Sequence, residues 1–236
     1  MNIFYLDKDP VKAAKYSCDK HVVKMILESA QMLCTAHRVQ DGQMVIGKSA
    51  TGRKRTTYKH PNSNMNAVLY GAGWLKHPSC VWVMDSAYNY MWLYNHMMAL
   101  GLEYTKRYGK QHLTIQKLGD LLKHPPKNAH FSKIGTDATP AMPDECKIPG
   151  DVVGSYRKYY VMKKASFATW KAPSVIQSGM WRVYEMEYEE IEKLSLEESK
   201  KQTKERREEG LNMIRPFTFD EKKILWDGLY LSLIHI

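Results

Sequence analysis

Between Cys18 and His37 the apolar positions recur every three or four residues, at Val22, Val23, Ile26, Leu27, Ala30 and Leu33. Wound at about 100° per residue they share one broad arc, which predicts a helix with that arc buried. His21 and Glu28 are seven residues apart, or two turns. The same winding sets them about 20° from each other on the opposite arc. An imidazole and a carboxylate are therefore expected side by side on the polar face. Alone, such a pair is usually part of a solvated stripe, and its weight depends on the rest of the chain.

The pattern before and after this helix predicts further elements. Met1 to Leu6 is apolar and alternating, a short strand or a tucked-in arm. Asp7-Lys-Asp-Pro10 is a helix start, with Pro in the first turn and acids before it. The helical pattern then runs, with at most one break, to about Arg38. Residues 40–61 read as a Gly-containing loop holding Lys48, Arg53, Lys54, Arg55 and Lys59, with no acid among them. Lys-His-Pro occurs at 59–61, 76–78 and 123–125 and reads as punctuation. The longest uninterrupted helical pattern is Val81 to Tyr108, and a shorter helix follows over about 111–123. Residues 125–151 read as a long loop, of the kind that serves as a lid or binding segment. A helix resumes over 151–164. Pro173 marks a boundary, beyond which 175–209 is a helix of alternating charge, a solvated appendage or partner helix. Pro216 ends it.

These elements predict an all-α, mainly helical fold: a single compact helical domain with long loops and a charged helical C-terminal extension. The expected boundaries are 1–172 for the basic domain, 173–216 for the extension and 217–236 for a tail. The closing Leu231 to Ile236 is read as non-native, and no function is placed there, His235 included. At 236 residues the chain can bury one sizeable core plus an appendage. The first residues meet Asp7 before any long apolar run, so no signal peptide is expected, and no window approaches 18 apolar residues. A protein of the cytoplasm, in a bacterial or phage-infected cell, is the expectation.

Charge sharpens the picture. Residues 1–184 carry 26 bases against 12 acids, whereas 185–209 carry ten acids and six bases. A basic body with 15 Tyr and six Trp in the whole chain points to an anionic, stackable partner, double-stranded DNA first. Candidate contacts are Arg53, Lys54, Arg55 and Lys59 in the loop, Lys76, and Arg107 and Lys110 at a helix end. Tyr156, Arg157, Lys158, Tyr159, Tyr160, Lys163 and Lys164 interleave aromatics with bases, as stacking and phosphate neutralisation require. A protein partner through 175–209 is a further expectation. Cys18-x2-His21 and Cys34-x2-His37 have zinc-ligand spacing. On one helix, however, the pairs lie about 160° apart, and no Gly or Pro stands between them to break it. No metal and no cofactor are expected, and the four cysteines read as reduced and semi-buried.

The opening and the 18–37 helix together resemble the pyrimidine-dimer DNA glycosylase family of the phage endonuclease V type. The shared pattern is an apolar arm, then a helix with Asp19-x-His21, with Glu28 seven residues after the His. Tyr88 to Lys110 resembles the family's aromatic, basic helix, and Tyr156-Arg-Lys-Tyr-Tyr160 with Lys163 resembles its closing motif. The likeness covers about residues 1–40, 78–110 and 155–171. The opening is also similar to small phage proteins of no established activity.

The family resemblance implies a helical, metal-free glycosylase and abasic-site lyase acting at damaged pyrimidines. In it the chain's α-amine attacks the sugar C1′, Glu28 assists proton transfer, and His21 contacts phosphate or orients. The family's nucleophile is a small residue exposed by loss of the initiator Met. Asn2 is not small, so the candidates are the amines of Met1 and Asn2 and a lysine such as Lys24. The family's arginines near the Glu are replaced by Leu27 and Gln31. Three readings stay open beside this one: a phage DNA-base modification enzyme on a related scaffold, a non-catalytic nucleic-acid-binding protein, and an interaction protein working through 175–209.

Overall fold

The computed structural model describes residues 1–130 and 135–171, which belong to the first of the chain's two units, Met1–Ser174. The expected extension, 173–216, and tail, 217–236, lie outside the described residues. In the first unit two 22-residue helices form the centre, α2 (Asp19–Gln40) and α5 (Ala87–Tyr108), packed against each other. Helix α1 (Pro10–Tyr16) lies on α5, and α4 (Pro78–Asp85) touches both central helices. The short α3 (Ser63–Val68) and α6 (Leu113–Leu118) and the basic α7 (Val152–Lys164) complete the helices. Among the described residues no helix is long and apolar enough to cross a membrane.

Local chemistry sets the ends of these helices. Asp9 accepts from the N–H groups of Val11 and Lys12, with Pro10 in the first turn, so α1 starts where the sequence signal stands. Ser17 and Cys18 are extended, and this is the break between α1 and α2. The pattern expected to run unbroken from Val81 to Tyr108 is cut at Ser86, whose backbone is extended (φ −151°). The Ser86 hydroxyl accepts the N–H of Asn89 and caps α5, so a good capping residue has prevailed over apolar periodicity. Gly109, at φ +71°, closes α5 in the left-handed conformation that suits glycine.

The fold is not all-α. Residues 40–61, expected to be a loop, form a two-stranded antiparallel hairpin, β1 (Gln43–Lys48) with β2 (Lys54–Lys59), so the architecture is mixed α/β. Met44-Val45-Ile46 and Thr56-Thr57-Tyr58 are β-favouring triplets, and they pair across the ladder. The turn closes through Ser49 N–H to Arg53 O, with Gly52 at φ +77°. Short two-stranded ribbons have weak patterning, and the basic residues here mask it.

Two buried arginines fix the frame. Arg38 spends its five donors on Tyr70 O, Tyr58 O, Asn66 Oδ1, Asn66 O and Leu69 O, tying the 58–70 segment to the end of α2. Arg107 pairs with Asp19 Oδ1 at 3.2 Å and Glu103 Oε2 at 2.9 Å, and also donates to Ser17 O and Lys15 O. It thereby joins the end of α5 to the start of α2. Arg107, expected at DNA, is instead 8 % exposed and consumed by the fold.

Candidate active site

The N-terminal arm does not run along the surface. Ile3, Phe4, Tyr5 and Leu6 are all buried, packed as a core segment against α2, α5 and α7. Asn2 anchors the start: its side-chain amide donates to Ala141 O, and its Oδ1 accepts from Phe4 N–H. Arg157 holds the other end through Leu6 O and Asp7. Phe4 takes φ +52°, unusual for a bulky residue, and turns the chain so that its first residues meet α2.

The meeting point is Glu28. Its Oε2 accepts the Asn2 backbone N–H at 2.9 Å and faces the Met1 α-amine at 3.8 Å. Its Oε1 faces Lys24 Nζ, one turn earlier on α2, at 3.3 Å. The carboxylate is 12 % exposed and the Met1 side chain 3 %, while Lys24 is 69 % exposed. One largely enclosed carboxylate thus faces two primary amines, the chain terminus and a solvated lysine. His77 stands within electrostatic range of both Met1 and Glu28. Desolvation lowers its pKa first and the α-amine lowers it further, while Glu28 opposes them. Its Nδ1 accepts from Ser79 N–H, so the neutral ring carries its proton on Nε2. Trp74, whose carbonyl accepts the His77 N–H, is 64 % exposed with φ +59°.

His21 is not where the helical wheel placed it. It is 6 % exposed, stacked on Phe4 at 4.1 Å between centroids, edge-on to Phe167, and its Nδ1 is hydrogen-bonded to the Tyr160 hydroxyl. Burial, then Lys164 and Lys24, push its pKa down to about 4, so it is a neutral ring. No hydrogen bond or ion pair joins His21 to Glu28 among the described residues. The arm and α7 cover the arc that the wheel assigned to solvent. Conversely, Val23 and Leu27, assigned to the core, are 37 % and 38 % exposed.

The expected DNA contacts divide into two groups. Arg53, Lys54, Arg55 and Lys59 on the hairpin are exposed, as are Lys76, Lys110 and Lys158. Antiparallel pairing sets Met44, Ile46 and Lys48 opposite Tyr58, Thr56 and Lys54, so these six share one face. Met44 and Ile46 are 56 % and 57 % exposed there, beside two directly opposed lysines. Tyr156 and Tyr160, by contrast, are core residues; Tyr156 bonds Thr139 O and Ala141 N–H. Arg157 is engaged by the arm, and Lys163 pairs with Glu145. Tyr159 is half-buried against Phe4, with Lys164 Nζ 4.7 Å from its ring centre.

His77 was missed by sequence reasoning because Lys76-His-Pro78 reads as a helix start, which it also is. The four cysteines are free and buried, and the Cys18/His21 and Cys34/His37 pairs form no ligand cluster among the described residues. The group there that could hold a metal ion is His37, Asp41 and His60, at the far end of α2. Compared with family models, curated proteins and solved structures, the chain matches none.

Proposed function

We propose that this protein excises damaged pyrimidines from double-stranded DNA and cleaves the resulting abasic site, using its α-amine as nucleophile and Glu28 as the assisting carboxylate. The observation that carries the reading is the Met1 α-amine 3.8 Å from Oε2 of Glu28, a carboxylate 12 % exposed. Lyase chemistry makes use of both groups. The amine nitrogen bonds to C1′ as the base departs with the glycosidic electrons. The carboxylate takes the proton that the nitrogen sheds as the imine forms, and then assists loss of the C2′ proton that expels the 3′ phosphate.

The reading does not depend on whether Met1 is retained. If it is removed, Asn2 N becomes the α-amine, and that nitrogen already lies 2.9 Å from Glu28 Oε2. His77, protonated on Nε2, is a positioned donor for a developing charge or a phosphate. Trp74 supplies an exposed ring on which an extruded or neighbouring base stacks. The opposed Lys48 and Lys54 on the hairpin repel each other until an anion such as a phosphate lies between them.

Borohydride trapping on ultraviolet-irradiated duplex, with undamaged and abasic duplexes beside it, tests this directly. A covalent complex on irradiated and abasic DNA, lost when the α-amine is blocked, is the expected result. Tight, salt-dependent binding without trapping on any substrate overturns the lyase and leaves a DNA-binding protein or a different DNA-modifying enzyme.

A further inference from the structure

His37, Asp41 and His60 meet where three segments converge: the last turn of α2, the exit of β2, and the 123–128 turn. Asp41 Oδ2 is 3.9 Å from His37 Nδ1 and 3.8 Å from His60 Nε2, and the three ligand atoms lie within 4.8 Å of one another. Neither separation is a hydrogen bond. Both imidazole nitrogens are fully buried and have no hydrogen-bond partner. A buried nitrogen without a partner is destabilising, and here two converge on one carboxylate.

The proton positions sharpen the point. The Tyr90 hydroxyl donates to Leu122 O, so towards His37 it offers only its lone pairs. His124 O, the other partner of His37 Nε2, is an acceptor as well. His37 therefore carries its proton on Nε2, and a bare Nδ1 lone pair faces the Asp41 carboxylate. Two electron-rich atoms aimed at each other in a buried site call for a cation between them. An imidazole that donates one N–H to a carbonyl and presents the other nitrogen is the usual arrangement of a metal-ligating histidine. Asp41 is likewise pre-set, since its two oxygens accept the backbone N–H groups of Lys127 and Asn128, both at 2.9 Å.

We propose that His37 Nδ1, Asp41 Oδ2 and His60 Nε2 form a site for a divalent transition-metal ion of the zinc type, which staples the end of α2 to the hairpin and the 123–128 turn. Two imidazoles and a carboxylate are a borderline N/O donor set, suited to zinc, with water in the fourth position. Bonds of about 2.1 Å in a tetrahedron hold ligand atoms about 3.4 Å apart, so the two carboxylate–imidazole separations, 3.9 and 3.8 Å, close by roughly half an ångström on loading. His37 and Asp41 are one turn apart at the helix C-terminus, where the backbone dipole also favours a cation. His60 Nδ1 accepts the Asn62 N–H, so its proton sits on Nε2 in the metal-free ring. Binding moves that proton to Nδ1 and releases the Asn62 N–H to solvent, which Asn62, an exposed residue, already meets. His37 and the C-cap Asp41 lie 9 and 13 residues from Glu28 along the α2 axis, about 14–20 Å, so the site acts on the frame rather than on the proposed reaction.

The full chain, stripped with a chelator, is titrated calorimetrically with zinc and separately with cobalt(II), and its thermal unfolding is followed with and without zinc. One equivalent should bind, with a rise in Tm of several degrees. His60→Gln and Asp41→Asn should each weaken binding at least tenfold, with the metal-free Tm of His60→Gln near that of the unsubstituted metal-free chain. Bound cobalt should show visible d–d bands without a thiolate charge-transfer band. Absence of one-to-one binding, binding that both variants retain, or a thiolate band that moves the ion to the cysteines would each overturn the site. Every readout is binding or stability, so the outcome is independent of the lyase reading.

Discussion

The Asn2 backbone N–H donates to Glu28 Oε2 across 26 residues of sequence, at 2.9 Å. One hydrogen bond thus fixes the start of the chain to the middle of its central helix and aims the carboxylate at the α-amine. Placement of the α-amine is a by-product of packing the arm: the side chains of Ile3 to Leu6 are buried, and the terminus follows.

Replacing Glu28 by Gln keeps an acceptor for the Asn2 N–H and removes the charge. Trapping on abasic duplex should fall by 100-fold or more, within the usual range for loss of a general base. DNA affinity should stay within about threefold, since no phosphate contact is lost. Gel-based trapping beside a binding isotherm separates the two, and equal losses in both would contradict the assigned role.

In the proposed lyase chemistry two amines are candidates for the nucleophile, and mass spectrometry of the trapped peptide distinguishes them. The adduct is expected on the peptide carrying the chain terminus. Lys24→Arg should then retain trapping, while a two-residue extension before Met1 should abolish it. An adduct on the peptide carrying Lys24 would move the chemistry to the solvated face of α2.

Lys48→Ala combined with Lys54→Ala removes an opposed, repelling pair from the hairpin. DNA binding should weaken, and the slope of log affinity against log salt should shrink by up to about 2, roughly one per phosphate contact. Tm should hold or rise slightly. An unchanged salt slope would remove the hairpin from the interface.

Arg107→Ala leaves Asp19 and Glu103 without their buried cation, although the residue lies off the reaction centre. A loss of about 3–5 kcal/mol in urea unfolding is expected from breaking such a pair. In contrast to the hairpin lysines, the salt dependence of DNA binding at a temperature where the variant is folded should not change.

His21 and His96 both have pKa values lowered to about 4, chiefly by burial, so each is neutral in the native state. Above pH 6.5 they are neutral in both states and contribute nothing. Between pH 6.5 and about 4 the unfolded chain binds protons that the native state refuses, so stability falls as pH falls. The loss should reach on the order of 1–3 kcal/mol per ring and level off below about pH 4. NMR titration of the ring protons checks the cause, and titration of either ring near pH 6.5 would contradict it.

The sequence by itself determined the local features. Asp9-Pro10 started α1, the periodicity of 18–37 gave α2, and Gly109 ended α5, because caps, turns and periodicity act between residues a few positions apart. The basic excess and the candidate Glu28 were legible for the same reason, as residue types at given spacings. The hairpin was not, since a two-stranded ribbon has little periodicity and the basic residues resemble a solvated loop. Only the tertiary structure decided which polar side chains were spent inside. A helical wheel has no knowledge of the arm and α7, which turned His21 from a solvated ring into a neutral, stacked one. It likewise could not see that Arg107 would be neutralised by Asp19, 88 residues away, or that His60 would reach His37 and Asp41. Such pairings depend on where distant segments meet, and burial then sets their charge and their use.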